Sequence, residues 1–208
     1  MRGTSKLFLF DFDGVIVDSL EVYEHRVKFC LEKMGCLIIR SRSDFIALFE
    51  DNFYEALVKK GVDLAEFMKV LKSIPTQVDY DLMVPFAPIL PVLGELRKGH
   101  DLAIISSNDS GVIHAVLSRY NFNGCFREVL GADFGLSKQE KIHHAMHLFQ
   151  TDKDNTYYVG DTAGDIKEAH GAGVKTVAVT WGWHTRERLD KVNPDYIVES
   201  AESLLALR

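Results

Sequence analysis

Two aspartates separated by one residue, Asp11 and Asp13, carry the strongest chemical signal in this sequence. They follow the apolar run Leu7–Phe10, which predicts a buried strand, and carboxylates at positions i and i+2 of an extended chain point the same way. Like charges at the edge of an apolar sheet are costly unless a cation or a proton compensates them. The pattern favours a metal-assisted site with one nucleophilic and one proton-transferring carboxylate. An ordinary solvated turn, completed by Gly14, is the alternative for this stretch alone.

A second polar tip, Ser106-Ser107-Asn108, follows the apolar run 102–105. A hydroxyl group and backbone N–H groups ahead of a helix suit a phosphate oxygen. Capping of that helix by Ser or Asn is the alternative. Ligands of an open parallel sheet bind beyond the carboxyl ends of its strands, so this segment and the aspartate pair are expected to meet there.

A third polar tip holds Asp161 and Asp165 in the sequence GDTAGD, directly after the predicted strand 156–159. The two acids are one helical turn apart and can face the same ion; a helix N-cap plus a surface acid is the alternative. Lys138 lies just before a predicted helix and could neutralise both the acids and a bound phosphate. Lys141, one turn later, is the competing candidate.

Strands and helices alternate through most of the chain, which predicts an α/β fold with a Rossmann-like parallel sheet flanked by helices. The predicted core comprises residues 1–16 and 86–208, and a small α-helical cap domain, residues 17–85, is inserted between the first strand and the first core helix. The cap is predicted to contain helices up to Gly35, around 44–60 and over 64–73. Core strands are predicted at 7–10, 102–105, 128–131, 156–159, 174–179 and 196–198. Core helices are predicted at 111–120, 139–149, 166–170 and the C-terminus.

Composition limits the function classes that the chain can serve. Among 208 residues, 47% are hydrophobic and 26% charged, and the formal charge of −6 argues against a nucleic-acid binder or a membrane-surface binder. No apolar run approaches the roughly 20 residues that span a bilayer. The three cysteines form no CxxC pair, which predicts a reduced, cytoplasmic setting. We expect a monomer or a homodimer with a small-molecule substrate.

Four segments of the chain resemble, in order, the four motifs of the haloacid-dehalogenase superfamily of phosphatases. They are DFDGVIVDS, Ser106 after the second strand, Lys138 and GDTAGD. The resemblance covers nearly the whole chain, including the cap after the first motif. Segments 85–97, 179–182 and 194–196 are most similar to members of the phosphoglycolate-phosphatase type. Hydrolysis of a small phosphate monoester is therefore the implied reaction, with 2-phosphoglycolate as the leading single substrate.

The resemblance also implies a role for each candidate residue. Asp11 would attack phosphorus and form an aspartyl-phosphate, while Asp13 would protonate the leaving alcohol and later activate water. Mg²⁺ would be held by Asp11, the backbone carbonyl of Asp13, Asp161 and Asp165, the last directly or through water. Ser106 and Lys138 would hold the transferring phosphoryl group, with Ser107 and Asn108 beside them. Lys138 is preferred to Lys141 because its distance ahead of Asp161 fits the family spacing better.

Departures from related chemistries narrow the choice. Asp13 argues against carbon–halogen cleavage and against a phosphonatase, because both kinds of relative lack this second acid. A sugar phosphomutase shares all four motifs and stays open. A phosphate-ester-binding regulator without turnover is the alternative from another class, although such a protein has no need of the nucleophile Asp11.

Three other features can imitate a functional site. His143 and His147 have the i, i+4 spacing of a metal pair but lack the Glu of an HExxH pattern, so a solvated helix face is favoured. Residues 171–176 imitate a phosphate loop but lack its spacing and are better explained as a helix stop. Trp181, Trp183 and His184 follow a predicted strand, so they either border the cleft or pack against a helix or a second subunit.

Overall fold

The computed structural model describes residues 5–74, 80–122 and 124–208. The polar segments that the sequence analysis singles out follow strands of a six-stranded parallel sheet. Its strands in chain order are β1 (Leu7–Phe10), β4 (Asp101–Ile105), β5 (Glu128–Leu130), β6 (Thr156–Gly160), β7 (Lys175–Val179) and β8 (Tyr196–Val198). Their spatial order is β5-β4-β1-β6-β7-β8. The predicted fold class is confirmed. Residues 75–79 of the predicted cap lie outside the described residues.

The strand β1 is the centre of this arrangement. All four of its residues are buried, because helices cover both faces of the sheet. Phe10 pairs in parallel with Ile104 of β4 on one side and with Val159 of β6 on the other. The chain segments that leave these three neighbouring strands therefore emerge side by side at one edge of the sheet.

A short two-stranded antiparallel sheet, β2 (Val17–Asp18) and β3 (Val84–Pro85), brackets the helical insertion. Strands of two residues leave no periodicity to read, and the sequence pattern did not predict them. The described residues between them form four α-helices: α1 (Leu20–Lys33), α2 (Arg42–Ile46), α3 (Phe53–Lys59) and α4 (Leu64–Ser73). Their buried apolar faces share one cluster, which includes Val27, Leu31, Phe45, Leu57 and Phe67.

The prediction of a continuous helix over 44–60 is wrong. The chain forms α2, one 3₁₀ turn and then a new helix, α3, whose N-cap is Asn52. The Asn52 side-chain oxygen accepts hydrogen bonds from the backbone N–H groups of Tyr54 (3.1 Å) and Glu55 (3.3 Å). Such a cap satisfies N–H groups that a continuous helix would have bonded itself, so a break here is stable.

The core contains five α-helices within the described residues, and three of them correspond to the predicted helices 111–120, 139–149 and 166–170. The five are α5 (Ile89–Leu96), α6 (Ser110–Arg119), α7 (Lys138–Leu148), α8 (Ala163–Ala172) and α9 (Arg186–Asp190). Helix α8 is longer than the predicted 166–170, and the predicted C-terminal helix is a 3₁₀ helix over Ala201–Leu207. No helix within the described residues has the length and apolarity needed to cross a membrane.

Candidate active site

The sheet order brings the predicted site residues together at the carboxyl edge of the sheet. The loops after β1, β4 and β6 carry Asp11, Ser106 and Asp161, and Lys138 reaches them from the first position of α7. Seven of the eight predicted residues line one chamber, and the eighth, Asn108, contacts Asp13. The seven are Asp11, Asp13, Ser106, Ser107, Lys138, Asp161 and Asp165.

Asp11 is fixed by two hydrogen bonds. Its Oδ1 accepts from the backbone N–H of Phe12 at 2.7 Å, and its Oδ2 accepts from Lys138 Nζ at 3.0 Å. Burial raises the pKa of Asp11 to about 8, against the opposing effect of the Lys138 ammonium. Both oxygens of Asp11 thus accept from donors that stabilise the ionised carboxylate. Burial destabilises the ionised form, so a further cation is needed to keep Asp11 ionised at neutral pH.

Lys138 forms a buried ion pair with two acids, since its Nζ donates to Asp165 Oδ1 as well as to Asp11. Asp11 and Asp165 outweigh burial and raise the pKa of Lys138 well above its usual range. The same ammonium outweighs burial at Asp165 and lowers the pKa of that carboxyl. Lys138 is therefore a fixed positive charge at the floor of the chamber.

The competing lysine, Lys141, points elsewhere. Its Nζ donates to the backbone carbonyl of Ser106 at 2.8 Å, and burial lowers its pKa to about 8. It supports the loop after β4 from behind, whereas Lys138 contacts the acids directly.

Asp165 both caps helix α8 and faces the acid cluster, so the helix-cap and ion-site interpretations of its segment are compatible. Its Oδ2 accepts hydrogen bonds from the backbone N–H (3.0 Å) and the hydroxyl (2.7 Å) of Thr162, which completes a capping box at the start of α8. Its Oδ1 meanwhile faces Lys138 inside the site. The cap fixes the rotamer that presents this second oxygen.

Asp13 lies in a different environment from Asp11. Burial raises its pKa to about 6, while the nearby hydroxyls of Ser19 and Tyr23 and the side-chain amide of Asn108 oppose the shift. Asn108 Nδ2 donates to Asp13 Oδ2 at 3.3 Å, and within the described part of the chain Oδ1 has no partner of good geometry. A carboxyl group of this kind can exchange a proton near neutral pH.

Three carboxylates form the cluster best suited to a metal. Oxygen atoms of Asp11, Asp161 and Asp165 all lie within 4.8 Å of one another, and the three side chains are buried. Burial and the neighbouring acids raise the pKa of Asp161, whose Oδ1 has no partner among the described residues. Its Oδ2 accepts from the backbone N–H of Trp183 at 2.7 Å. Three buried, mutually repelling carboxylates, one of which has an unpartnered oxygen, fit a hard divalent cation.

Gly14 makes room for this cluster. Its φ is +76°, and a Cβ there would approach Asp161 Oδ2 to 2.1 Å. A side chain at this position would therefore push the acid out of place as well as strain the backbone.

We expect Gly14→Ala to lower metal affinity and activity by at least about tenfold, because the added Cβ would displace Asp161 from the cluster that could hold a metal. Gly35→Ala is the matched control: its φ is +72°, but nothing lies within 4 Å of the added Cβ. Both variants carry the backbone cost of about 1 kcal/mol. Metal titration and steady-state kinetics on the pair check this, and equal effects of the two substitutions would contradict it.

Residues of the helical insertion close over the chamber. Asn52 Nδ2 donates to Glu168 Oε1 at 3.1 Å, and Tyr54 Oη donates to the Ser107 carbonyl at 3.4 Å. Lys167 Nζ bonds both the Glu50 carbonyl and Asp51 Oδ1. These contacts tie the segment around residue 52 to the core.

Sequence reasoning missed several residues that contact the site, namely Ser19, Tyr23, Asn52, Tyr54 and Glu168. Two signals were available: Ser19 and Tyr23 are four residues apart on one helix face, and Asp-Asn is a typical helix start.

The histidine pair of helix α7 is not among the residues that line the chamber. His143 Nε2 contacts the Ala172 carbonyl, and neither it nor His147 joins a cluster among the described residues that could hold a metal.

The sequence allows the loop after β7 either to border the cleft or to pack against a helix, and the structure shows that it does both. Trp183 lines the chamber and also packs into the apolar cluster of the helical insertion. His184 accepts from the Ala163 backbone N–H at Nδ1 and contacts the Ile46 carbonyl through Nε2. Burial lowers the pKa of His184, so the neutral ring bridges core and insertion.

A comparison with protein-family models identifies the chain. The model of haloacid dehalogenase-like hydrolases matches residues 8–179. The chain belongs to this family. The resemblance inferred from the motifs is thereby confirmed, as is the predicted enzyme class of a hydrolase.

Curated relatives of this hydrolase match over almost their whole length. Phosphoglycolate phosphatase of Synechococcus elongatus is 28% identical over 200 residues, covering 95% of this chain and 94% of the relative. Phosphoglycolate phosphatase of Aquifex aeolicus is 24% identical and covers 97% and 96%. Pyrophosphatase PpaX of Listeria welshimeri is 23% identical and covers 100% and 98%.

Solved structures support the same fold. A haloacid dehalogenase-like family hydrolase from Streptococcus pneumoniae has a TM-score of 0.81 at 20% identity, covering 98% of each chain. A HAD-superfamily hydrolase from Geobacter sulfurreducens has a TM-score of 0.75 at 20% identity, covering 99% of this chain and all of the other. At these identities the likeness establishes architecture alone.

Proposed function

We propose that this hydrolase is a Mg²⁺-dependent phosphatase that cleaves small phosphate monoesters through a phosphorylated Asp11. The observation that carries the proposal is the pairing of two buried carboxylates in unlike environments. Asp11 contacts the fixed cation Lys138, whereas Asp13 is surrounded by neutral hydrogen-bond donors. One carboxylate is thus arranged for attack next to positive charge, and the other for proton transfer.

The metal assignment rests on the acid cluster. Asp11, Asp161 and Asp165 would hold the ion, together with the backbone carbonyl of Asp13, and such oxygen donors suit Mg²⁺. When bound, a divalent cation neutralises charge on the transferring phosphoryl group and favours the ionised form of Asp11. The unpartnered Asp161 Oδ1 supports this assignment, since an orphaned buried carboxylate oxygen is otherwise costly.

The remaining roles follow from position. Lys138 and Ser106 would hold the phosphoryl oxygens while ionised Asp11 attacks phosphorus. Protonated Asp13 would donate to the leaving alcohol and, once ionised, take a proton from the water that attacks the phospho-aspartate. Its pKa of about 6 allows both protonation states near neutral pH.

We also propose that residues 17–85 act as a cap domain on a core of residues 1–16 and 86–208. The two-stranded sheet β2–β3 is a natural hinge, because it lies where both connecting segments pass between the two parts. The hydrogen bonds of Asn52 and Tyr54 to the core represent the closed state, in which bulk water is excluded from the chamber.

The relatives named phosphoglycolate phosphatase make 2-phosphoglycolate the first substrate to test. The experiment is phosphate release from a panel of esters, with and without Mg²⁺. The panel includes 2-phosphoglycolate, glycerol 3-phosphate and hexose phosphates. Metal-dependent release from at least one ester is expected. No release from any ester would contradict the proposal, and isomerisation that depends on a bisphosphate primer would favour a phosphomutase instead.

Mg²⁺ binding is expected to tighten as the pH rises from about 5.5 to about 8. In the metal-free protein the pKa of the ligand Asp11 is about 8, so below that pH a proton must leave this carboxyl group before the ion binds. The apparent affinity should rise by up to about tenfold per pH unit until the pH passes the pKa of Asp11. Titration calorimetry at several pH values checks this, and Asp11→Asn should flatten the upper part of the profile. An affinity independent of pH would contradict the assignment of these ligands.

A further inference from the structure

Glu168 is an acid of the chamber that the proposed mechanism does not use. It follows Asp165 by three residues on α8, so the two side chains leave the same face of that helix. Glu168 lines the chamber and is partly exposed, and the charges of Lys138 and Asp165 act on its carboxyl group. This carboxyl group is therefore within electrostatic reach of an ester bound at Lys138.

The hydrogen-bond partner of this carboxyl group is neutral. Asn52 Nδ2 donates to Glu168 Oε1 at 3.1 Å. Burial raises the pKa of Glu168, and the Lys138 ammonium and the Asn52 amide oppose this shift without cancelling it. Lys138 itself is paired with Asp11 and Asp165. A second negative charge next to Glu168 would therefore add to a repulsion that the protein has not compensated.

The charges on the chamber walls are unbalanced. Six acids line the chamber within the described part of the chain, and Lys138 is the single cationic side chain among those lining residues. Four of the acids are assigned to the metal and the chemistry, which leaves Asp51 and Glu168. Asp51 is paired with Lys167 at 2.6 Å. Glu168 is thus the remaining acid, and a carboxylate on the leaving group would meet it without a cationic side chain of its own.

We infer that Glu168 selects against esters whose leaving group carries a negative charge and favours alcohols that are neutral or carry a protonated amine. Glu168 is then a specificity-determining residue. The inference rests on the proposed phosphatase function and adds a substrate class to it. It also sets an order within the ester panel, because 2-phosphoglycolate, whose alcohol carries a carboxylate, becomes a poorer substrate than a neutral ester of similar size.

The test compares three esters of similar size at about pH 8, where carboxyl groups are ionised and alkyl amines are protonated. The alcohol carries a carboxylate in 2-phosphoglycolate, no charge in 2-hydroxyethyl phosphate and an ammonium group in O-phosphoethanolamine. Glu168→Gln removes the charge and keeps an oxygen that can accept from Asn52. It should raise kcat/KM about tenfold for 2-phosphoglycolate and lower it about tenfold for O-phosphoethanolamine, with the smallest change for the neutral ester.

Glu55→Gln is the matched control. It also removes one negative charge, but the Glu55 side chain is 69% exposed and is not among the described residues that line the chamber. All three esters should change by less than about twofold, because solvent and salt screen an exposed charge. A structural role of Glu168 would change the three esters by one common factor, and that result, or no change in any of them, would overturn the inference.

A binding experiment separates this failure from failure of the phosphatase function. Calorimetry in the presence of Mg²⁺ would measure the Kd of each ester for Asp11→Asn, with and without Glu168→Gln. The ratio of the Kd values for 2-phosphoglycolate and O-phosphoethanolamine should fall by at least about tenfold when Glu168 is replaced. An unchanged ratio, or no binding of any ester, would overturn the inference. A changed ratio without hydrolysis of any ester would support charge selection by Glu168 and contradict the phosphatase function alone.

Discussion

Asp11→Asn should lower kcat by at least about 10³-fold, since the amide oxygen is a poor nucleophile and no other described carboxylate occupies the same position relative to Lys138. The substitution is nearly isosteric, and the Phe12 N–H can still donate to the side-chain oxygen. It also removes one of several mutually repelling buried acids. We therefore expect a folded protein that has lost chemistry.

The measurement combines steady-state phosphate release with thermal unfolding of the metal-free protein. The unfolding midpoint should remain within about 4 °C of that of the unsubstituted protein. A fall in activity accompanied by a much larger loss of stability would mean that Asp11 is mainly structural. Retention of more than a tenth of the activity would exclude it as the nucleophile.

Lys138→Met should lower kcat/KM by at least about 100-fold and destabilise the metal-free protein by about 3 kcal/mol. Lys138 is the described cation that contacts both Asp11 and Asp165, and its removal leaves the ionised Asp165 buried without its partner. Urea unfolding and kinetics on a substrate from the panel provide the two readouts. Added Mg²⁺ should restore part of the stability, because a divalent cation at the acid cluster replaces the missing positive charge.

Lys141→Met is the matched control on the same helix. Lys141 is also buried, but its Nζ donates to the Ser106 carbonyl and contacts no carboxylate of the cluster. We expect a loss of activity of no more than about tenfold, caused by a looser loop after β4. If Lys141→Met were the more damaging substitution, the assignment of the phosphate-site lysine would have to be reversed.

Local chemistry made the floor of the site predictable from the sequence. Asp11, Ser106 and Asp161 each directly follow a strand, and parallel strands place such positions at one edge. The alternation of strands and helices was sufficient for the sheet, because buried strands such as β1 are continuously apolar. Lys138 was preferred to Lys141 because the family resemblance implies its distance ahead of Asp161, and the helix that carries Lys138 begins at this edge.

The upper wall of the chamber was not predictable, because tertiary packing determines it. The break at Asn52 turns the segment toward Glu168, a contact across 116 positions that no local pattern reports. The sequence could not decide whether Trp183 borders the cleft or packs against a helix, because the residue lines the chamber and also packs into the apolar cluster of the insertion. The strands β2 and β3 have only two residues each and pair across the whole insertion, so neither alternation nor propensity could reveal them.

Direct detection of the phosphorylated residue tests the central claim that Asp11 is the nucleophile of a phosphatase. The enzyme would be mixed with Mg²⁺ and its best ester, quenched within one turnover, reduced with borohydride and digested. Mass spectrometry should then find homoserine, the reduction product of an acyl phosphate, at position 11, and find none when Mg²⁺ or the ester is omitted. Homoserine at another acidic position, or continued phosphate release with aspartate intact throughout, would contradict the account.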